Sequence, residues 1–190
     1  MLIAIIKHNV ERTVIKMSRG TEGKRWEKNF KDSIGLECIR LYDPMSGFVG
    51  VYNPCDFIYY RYPYQFLFEL KSVEAARLPI KLETTMRQIK AMADLMKTGE
   101  GIMGGICVEF RSKKQAFFIP ATVALDFLEV DGKASIKYDD CIEHHYIIEI
   151  PLTYKRTNCE VDKTAFNAAL MDLMYIMRWG NRRIKRCDYH

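Results

Sequence analysis

The chain has 190 residues, which is enough for one folded domain with a sizeable hydrophobic core. Hydrophobic residues make up 48% and charged residues 28% of the sequence, and this balance excludes an intrinsically disordered chain. The formal net charge of +5 permits nucleic-acid binding without requiring it. Lysine and arginine are concentrated towards both ends, whereas the stretch 126–149 is acidic.

The sequence predicts neither a secretory signal nor a membrane-spanning segment. The apolar start, 1–6, is interrupted by Lys7 and His8, and no apolar run approaches the roughly 18 residues of a membrane span. The six cysteines form no CxxC pair. We therefore expect reduced thiols in a cytoplasmic protein with no membrane partner.

The first predicted elements are a short strand at 1–7 and a helix that follows Gly20. Trp26, Phe30 and Ile34 recur at the spacing of one helical face, and Gly35 is expected to end the helix.

Short apolar runs typical of strands come next. Two of them, 36–42 and 48–52, are separated by a predicted turn at 43–47. The aromatic-rich segments Asp56–Tyr60 and Gln65–Lys71 then predict a β-hairpin.

Helical spacing returns over Leu82–Met96. Strands are predicted at Ile102–Phe110 and Gln115–Ile119, and Pro120 is expected to begin a helix that extends to about Val130. The order is helix, three strands, helix, two strands, helix, which indicates a mixed α/β fold.

The character of the sequence changes after Asp131. We divide the chain into a core, 1–130, and a C-terminal extension, 131–190, that packs on it. The extension is predicted to contain a strand at Tyr146–Tyr154, an amphipathic helix at Lys163–Trp179 and a basic tail. That tail is either a phosphate-binding segment or a solvated end.

Three charged residues in the predicted hairpin are candidates for chemistry. If the turn is centred between Tyr62 and Pro63, Asp56 lies opposite Glu69, and Lys71 shares a face of its strand with Glu69. Two facing carboxylates are unfavourable unless a cation lies between them. Carboxylate oxygens suit Mg²⁺, and Mn²⁺ is expected to substitute for it.

The carbonyl oxygen of Leu70 is a further candidate metal ligand. Lys71 is placed to orient or deprotonate a water molecule, or to hold a phosphate. Such a metal would generate a nucleophile for phosphodiester cleavage. The alternative is a surface hairpin with an ordinary Glu–Lys pair, since isolated E-x-K triplets are common.

The order of these motifs resembles that of the PD-(D/E)XK nucleases, in particular the RecU-type Holliday-junction resolvases. The resemblance covers residues 20–128. It rests on Gly-x-x-aromatic-Glu at 23–27, an aspartate before a strand, Phe-Glu-x-Lys at 68–71, a glutamine one helix later and a strand that ends in Phe-Ile-Pro at 118–120.

The resemblance implies an α/β restriction-endonuclease-like core of αβββαβ type, in which helices flank a central mixed sheet. It implies a Mg²⁺-dependent endonuclease that acts as a homodimer on four-way DNA junctions. By position, Asp56 and Glu69 would bind the metal and Lys71 would assist the water. Glu27 would contribute to the metal or water shell, and Gln88 would lie at the edge of the site or, alternatively, on a plain helix surface.

The chain differs from the RecU type in one respect. Those resolvases carry a long stalk before the metal-binding aspartate, whereas only the short segment 43–55 lies there in this sequence. The sequence therefore leaves three further functions open: a general or repair nuclease of the same fold, a non-catalytic DNA-binding module and a protein-interaction scaffold.

Overall fold

The structure is a computed structural model that describes residues 21–42, 53–156 and 158–180, without the side chains of 179 and 180. The helices are α1 (21–34), α2 (Glu83–Thr98), α3 (Ala121–Glu129), α4 (Tyr138–Glu143) and α5 (Lys163–Tyr175), which continues as a π-helical turn over Ile176–Gly180. The strands are β1 (Cys38–Arg40), β2 (Phe57–Arg61), β3 (Tyr64–Val73), β4 (Arg77–Pro79), β5 (Ile102–Phe110), β6 (Gln115–Pro120), β7 (Ser135–Lys137), β8 (Ile148–Ile150), β9 (Leu152–Tyr154) and β10 (Cys159–Val161).

Six strands form one central mixed sheet in the order β1-β2-β3-β5-β6-β8. The pair β3–β5 is parallel because α2 carries the chain from one strand back to the start of the other, and the remaining pairs are antiparallel. The predicted fold class is confirmed: the order α1-β1-β2-β3-α2-β5 is the expected αβββαβ order, with helices on both sides of the sheet.

Alternation along β3 gives the sheet two buried faces. Phe66, Phe68 and Leu70 belong to a core cluster with α1 and α5, whereas Leu67 belongs to a second cluster with α2 and α3. A strand buried on both faces reads as a continuous apolar run. Within that run, the side chain of Glu69 is therefore directed towards the α2 side.

The predicted face of α1 is the buried one. Trp26, Phe30 and Ile34 are fully buried, and the Phe30 ring contacts the rings of Phe57, Phe68 and Phe166. Gly35 ends α1 as predicted, with a φ of +90° that a residue with a Cβ rarely adopts.

One prediction for the extension is wrong. The strand expected over Tyr146–Tyr154 is broken at Pro151 into β8, which joins the central sheet, and β9, which forms a separate hairpin with β10. Proline has no N–H to donate to a strand ladder, and this explains the break. The helix predicted over Lys163–Trp179 is present, as the α-helix α5 to Tyr175 and the π-helical turn that follows it.

The predicted strand at 1–7, the apolar run at 48–52, the turn at 43–47 and most of the basic tail lie outside the described residues. Of that tail, Arg178 is described, and its guanidinium donates to the carbonyl oxygens of Gly99 and Ile102. Among the described residues, no helix combines the length and apolarity needed to cross a bilayer.

Candidate active site

The β2–β3 hairpin brings Asp56 and Glu69 together as the sequence predicts. Arg61 pairs with Tyr64 and Phe57 with Phe68, and the next position in this register sets Asp56 beside Glu69. The backbone N–H of Asp56 donates to the carbonyl oxygen of Phe68 at 3.0 Å. The antiparallel pairing of β2 with β3 thus continues as far as Asp56 and Glu69.

Asp56 is held by the neighbouring strand. The backbone N–H of Leu70 donates to Asp56 Oδ2 at 2.7 Å. A hydrogen bond from a backbone N–H to a carboxylate is charge-assisted, and it fixes the orientation of the Asp56 side chain. Leu70 therefore contributes its N–H to the site, whereas a metal ligand from its carbonyl oxygen stays a prediction.

Glu69 is only 2% exposed. Its Oε1 accepts a hydrogen bond from Lys71 Nζ at 2.6 Å, while its Oε2 is buried and accepts none. The pKa of Glu69 is raised to about 7, mainly by burial and also by the nearby carboxylate of Asp56, while Lys71 and the side chain of Gln88 act in the opposite direction. A buried carboxylate oxygen without a donor is costly, and a cation would remove that cost.

Gln88 reaches the site from α2. Its Oε1 lies 3.4 Å from Lys71 Nζ, so the ammonium of Lys71 is placed between Glu69 and Gln88. Lys71 is thereby held at the same end of the sheet as Asp56, with part of its side chain open to solvent.

Glu27 approaches from α1 and forms an ion pair with Arg40 of β1. Burial raises the pKa of Glu27, and the negative charge of Asp56 adds to this effect, while Arg40 and Lys71 lower it. Glu27 is therefore close enough to Asp56 to sense its charge. The structure brings all five predicted catalytic residues to one end of the sheet.

A cavity of about 370 Å³ opens above Asp56. Polar and basic side chains dominate its lining, among them Lys24, Arg40, Tyr42, Asn53, Asp56 and Gln88. Two cations next to a carboxylate suit a phosphate group that approaches a metal.

Lys24, Arg40 and Asn53 were not predicted as site residues. Lys24 and Asn53 gave no signal, because polar residues at a helix start or in a loop are common. The position of Arg40 results from the pairing of β1 with β2, which sets Arg40 opposite Phe57. That pairing is decided by tertiary packing, so the sequence alone did not place Arg40 beside Asp56.

The donor set fits a hard divalent cation. Across 21–42, 53–156 and 158–180, no three His, Cys, Asp or Glu side chains form a ready-made metal cluster. Mg²⁺, however, commonly binds through one or two carboxylates, with waters and substrate phosphate as its other ligands. Asp56 and Glu69, with the unbonded Oε2, provide such a pair.

Comparison with known proteins gives limited information. No family model matches the chain, and no curated protein matches it, so the RecU-type resemblance is not confirmed. Among solved structures, the chain is similar to the Holliday junction resolvase Hjc of Archaeoglobus fulgidus, an archaeal hyperthermophile. The identity is 18%, the TM-score is 0.38, and the match covers 53% of this chain and 74% of that chain. A likeness at this level assigns no activity to the chain.

Proposed function

We propose that this protein is a Mg²⁺-dependent endonuclease that cleaves branched DNA, with a four-way junction as the preferred substrate. The observation that carries the proposal is the buried Glu69 carboxylate beside Asp56, with one oxygen bonded to Lys71 and the other without a donor. A buried acid in this state is a stability cost that a metal-dependent function explains.

Asp56 and Glu69 would hold the metal ion, together with the carbonyl oxygen of Leu70. When bound, the ion supplies Lewis-acid activation of the phosphate and lowers the pKa of a water molecule. Lys71, oriented by Glu69 and Gln88, positions the attacking water or the scissile phosphate. Glu27 completes the water shell from α1.

Lys24 and Arg40 hold the DNA strand in the cavity above Asp56. A guanidinium or ammonium against a phosphate oxygen forms a charge-assisted hydrogen bond. These contacts position the backbone but do not read the sequence or the branch.

We therefore propose a homodimer, because two active sites related by a two-fold axis allow paired cuts on the exchanging strands. We also propose that it acts in the cytoplasm.

The test compares cleavage of a four-way junction, a flap and a linear duplex of matched sequence in Mg²⁺ and in Mn²⁺. The wild-type protein should cut the junction symmetrically near the crossover. Asp56→Asn and Glu69→Gln should each reduce the cleavage rate by more than about 100-fold, because each removes a metal ligand. Both variants should also lose Mn²⁺ binding in electron paramagnetic resonance titrations.

The matched control is Asp94→Asn, an exposed acid on α2 whose partner is Lys97. It should cut and bind Mn²⁺ as the wild type does. Equal rates on the three substrates would replace the junction preference with a general or repair nuclease. DNA binding without cleavage and without Mn²⁺ uptake would replace the enzyme with a non-catalytic DNA-binding module.

A further inference from the structure

A second cavity, of about 390 Å³, lies where the end of β5, the start of β6 and the β9–β10 hairpin meet α1. Five basic residues line it: Arg25, Arg111, Lys114, Lys155 and Arg156. The lining includes one acid, Glu109. None of these residues belongs to the proposed active site.

Glu109 forms the base of this cavity and is 4% exposed. Its two carboxylate oxygens accept hydrogen bonds from the hydroxyls of Ser72, at 2.7 Å, and Tyr154, at 3.1 Å. Ser72 Oγ in turn accepts from Arg111 at 2.9 Å, and Arg111 also donates to Glu74. Both carboxylate oxygens of Glu109 are therefore hydrogen-bonded within the protein, and the same network fixes the Arg111 side chain in place.

Two hydrogen bonds hold strand β10 of the β9–β10 hairpin against α1. The Asn29 side chain donates to Cys159 Sγ at 3.5 Å, and the backbone N–H of Val161 donates to Ser33 Oγ at 3.0 Å. The turn is closed by a 2.7 Å hydrogen bond from the N–H of Lys155 to the carbonyl oxygen of Asn158. The basic side chains of this turn are thus presented beside Arg25.

Only some of the basic side chains that line this cavity have a carboxylate partner. Arg25, Arg111 and Lys155 each have a carboxylate partner. Lys114 and Arg156 are exposed and form no ion pair with any residue in the described parts of the chain. Like charges held close together are unfavourable, and a bound polyanion would relieve the repulsion.

The two cavities both include a residue from the first turns of α1 in their lining. Lys24 lines the cavity above Asp56, and its neighbour on α1, Arg25, lines the second one. Successive residues of a strand point to opposite faces, and on β3 Lys71 bonds Gln88 of the first cavity while Ser72 bonds Glu109 of the second. The first turns of α1 are therefore the route along which a DNA strand would extend from one cavity to the other.

We propose that this second cavity binds backbone phosphates of a DNA arm that extends from the active site, so that the β9–β10 hairpin is a DNA-binding element. The proposal rests on the proposed function, because the ligand is the substrate of the same protein. Guanidinium and ammonium groups are the usual donors to the phosphodiester oxygens of DNA. This cavity adds affinity, while the active site performs the cleavage.

The test measures binding of fluorescein-labelled duplex and junction DNA by anisotropy, in EDTA to prevent cutting, over a series of NaCl concentrations. The double variant Lys114→Ala/Arg156→Ala should weaken binding by about tenfold or more near 0.1 M salt. The slope of log affinity against log salt concentration should become shallower by about 2, since each lost phosphate contact removes about 0.9. Thermal unfolding checks that the variant is folded.

The matched control is Arg61→Ala/Lys97→Ala, an exposed arginine and lysine at the hairpin end of the sheet, away from both cavities. It should retain the wild-type affinity and slope. Cleavage by the wild type together with unchanged binding by Lys114→Ala/Arg156→Ala would overturn the phosphate site and leave the nuclease intact. Weakened binding in a protein that cuts no DNA would support the phosphate site and remove the nuclease. A wild-type protein without DNA affinity would overturn the phosphate site as well.

Discussion

Glu69 is a carboxylate in a buried position of the central sheet. Its neighbours on β3 are apolar and buried, and a plain core position there would be occupied by an apolar side chain. Burial of the Glu69 carboxylate costs desolvation free energy, and the ion pair with Lys71 offsets part of this cost. The proposed role of Glu69 as a metal ligand would explain this cost.

The free energy of unfolding of the metal-free protein should fall as the pH rises through the pKa of Glu69. The usual pKa of a glutamate side chain is 4.5, and that of buried Glu69 is raised to about 7. The folded protein therefore binds a proton more tightly than the unfolded chain does. The resulting stabilisation is fully present below pH 4.5 and is lost as the pH passes 7, with a maximum size of about 3 kcal/mol.

Urea unfolding in EDTA at pH 5 and pH 8 checks this expectation. Glu69→Gln removes the titrating group and should reduce the difference between the two pH values. Addition of Mg²⁺ at pH 8 should stabilise the wild type but not Glu69→Gln. An equal pH dependence in both proteins would show that Glu69 does not carry the effect.

The pairing of Asp56 with Glu69 was predictable because it depends on local information. Pro63 marks the turn, and the turn fixes every cross-strand pair of the hairpin. The approach of Glu27 and Gln88 was expected only from the family resemblance, because it depends on how α1 and α2 pack on the sheet. The ion pair between Glu27 and Arg40 was not predicted for the same reason.

At the scale of elements, β5 is the strand with the tightest surroundings. It lies between β3 and β6, and α2 crosses above it. A Cβ atom at Gly105 would lie 2.4 Å from the carbonyl oxygen of Ile119 and 2.6 Å from the Phe118 ring. Only glycine allows β5 and β6 to approach this closely at that position.

Gly105→Ala should therefore lower the free energy of unfolding by about 1–3 kcal/mol, the usual cost of overpacking a core. Gly23→Ala is the matched control, because a Cβ there meets nothing within 4 Å and the residue lies in α1. It should raise the free energy of unfolding by up to about 1 kcal/mol. Chemical denaturation measures both changes, and a neutral Gly105→Ala would contradict the described β5–β6 packing.

The longer elements of the first 130 residues were predictable from periodicity, as the apolar face of α1 and the two-faced burial of β3 illustrate. The pair formed by β4 and β7 was missed, since a strand of three residues carries no measurable alternation. Pro151 was a visible signal against the strand predicted over Tyr146–Tyr154. The division of the chain at residue 130 stays a prediction.

At the scale of the whole molecule, the apolar face of α5 does not provide a surface for a homodimer. The apolar residues of α5, including Phe166 and Leu170, are buried in the core of this chain and are not free for a partner. Among the described strands, β1 is at the edge of the central sheet and exposes Ile39, with Leu36 and Tyr62 also exposed on neighbouring segments. This edge is the better candidate for contact between two copies.

Sedimentation velocity at micromolar concentration should show a dimer of the wild type. Ile39→Lys should shift the protein towards monomer, because a charge on this 61% exposed edge residue opposes close contact. Val130→Lys is the control, at a 78% exposed apolar residue that follows α3, and should leave the dimer unchanged. A wild type that is monomeric both alone and on junction DNA would contradict the assembly.

The position of Phe166 has a consequence for biosynthesis. Its ring packs against Phe30 and Phe68, and Phe68 is the immediate neighbour of Glu69. The ribosome makes α5 long after the β2–β3 hairpin, so a nascent chain has this hairpin before it has the Phe166 side chain that covers Phe68 on the face opposite Glu69. The buried face of the hairpin on the α1 side of the sheet is therefore completed late in translation, when α5 packs against it.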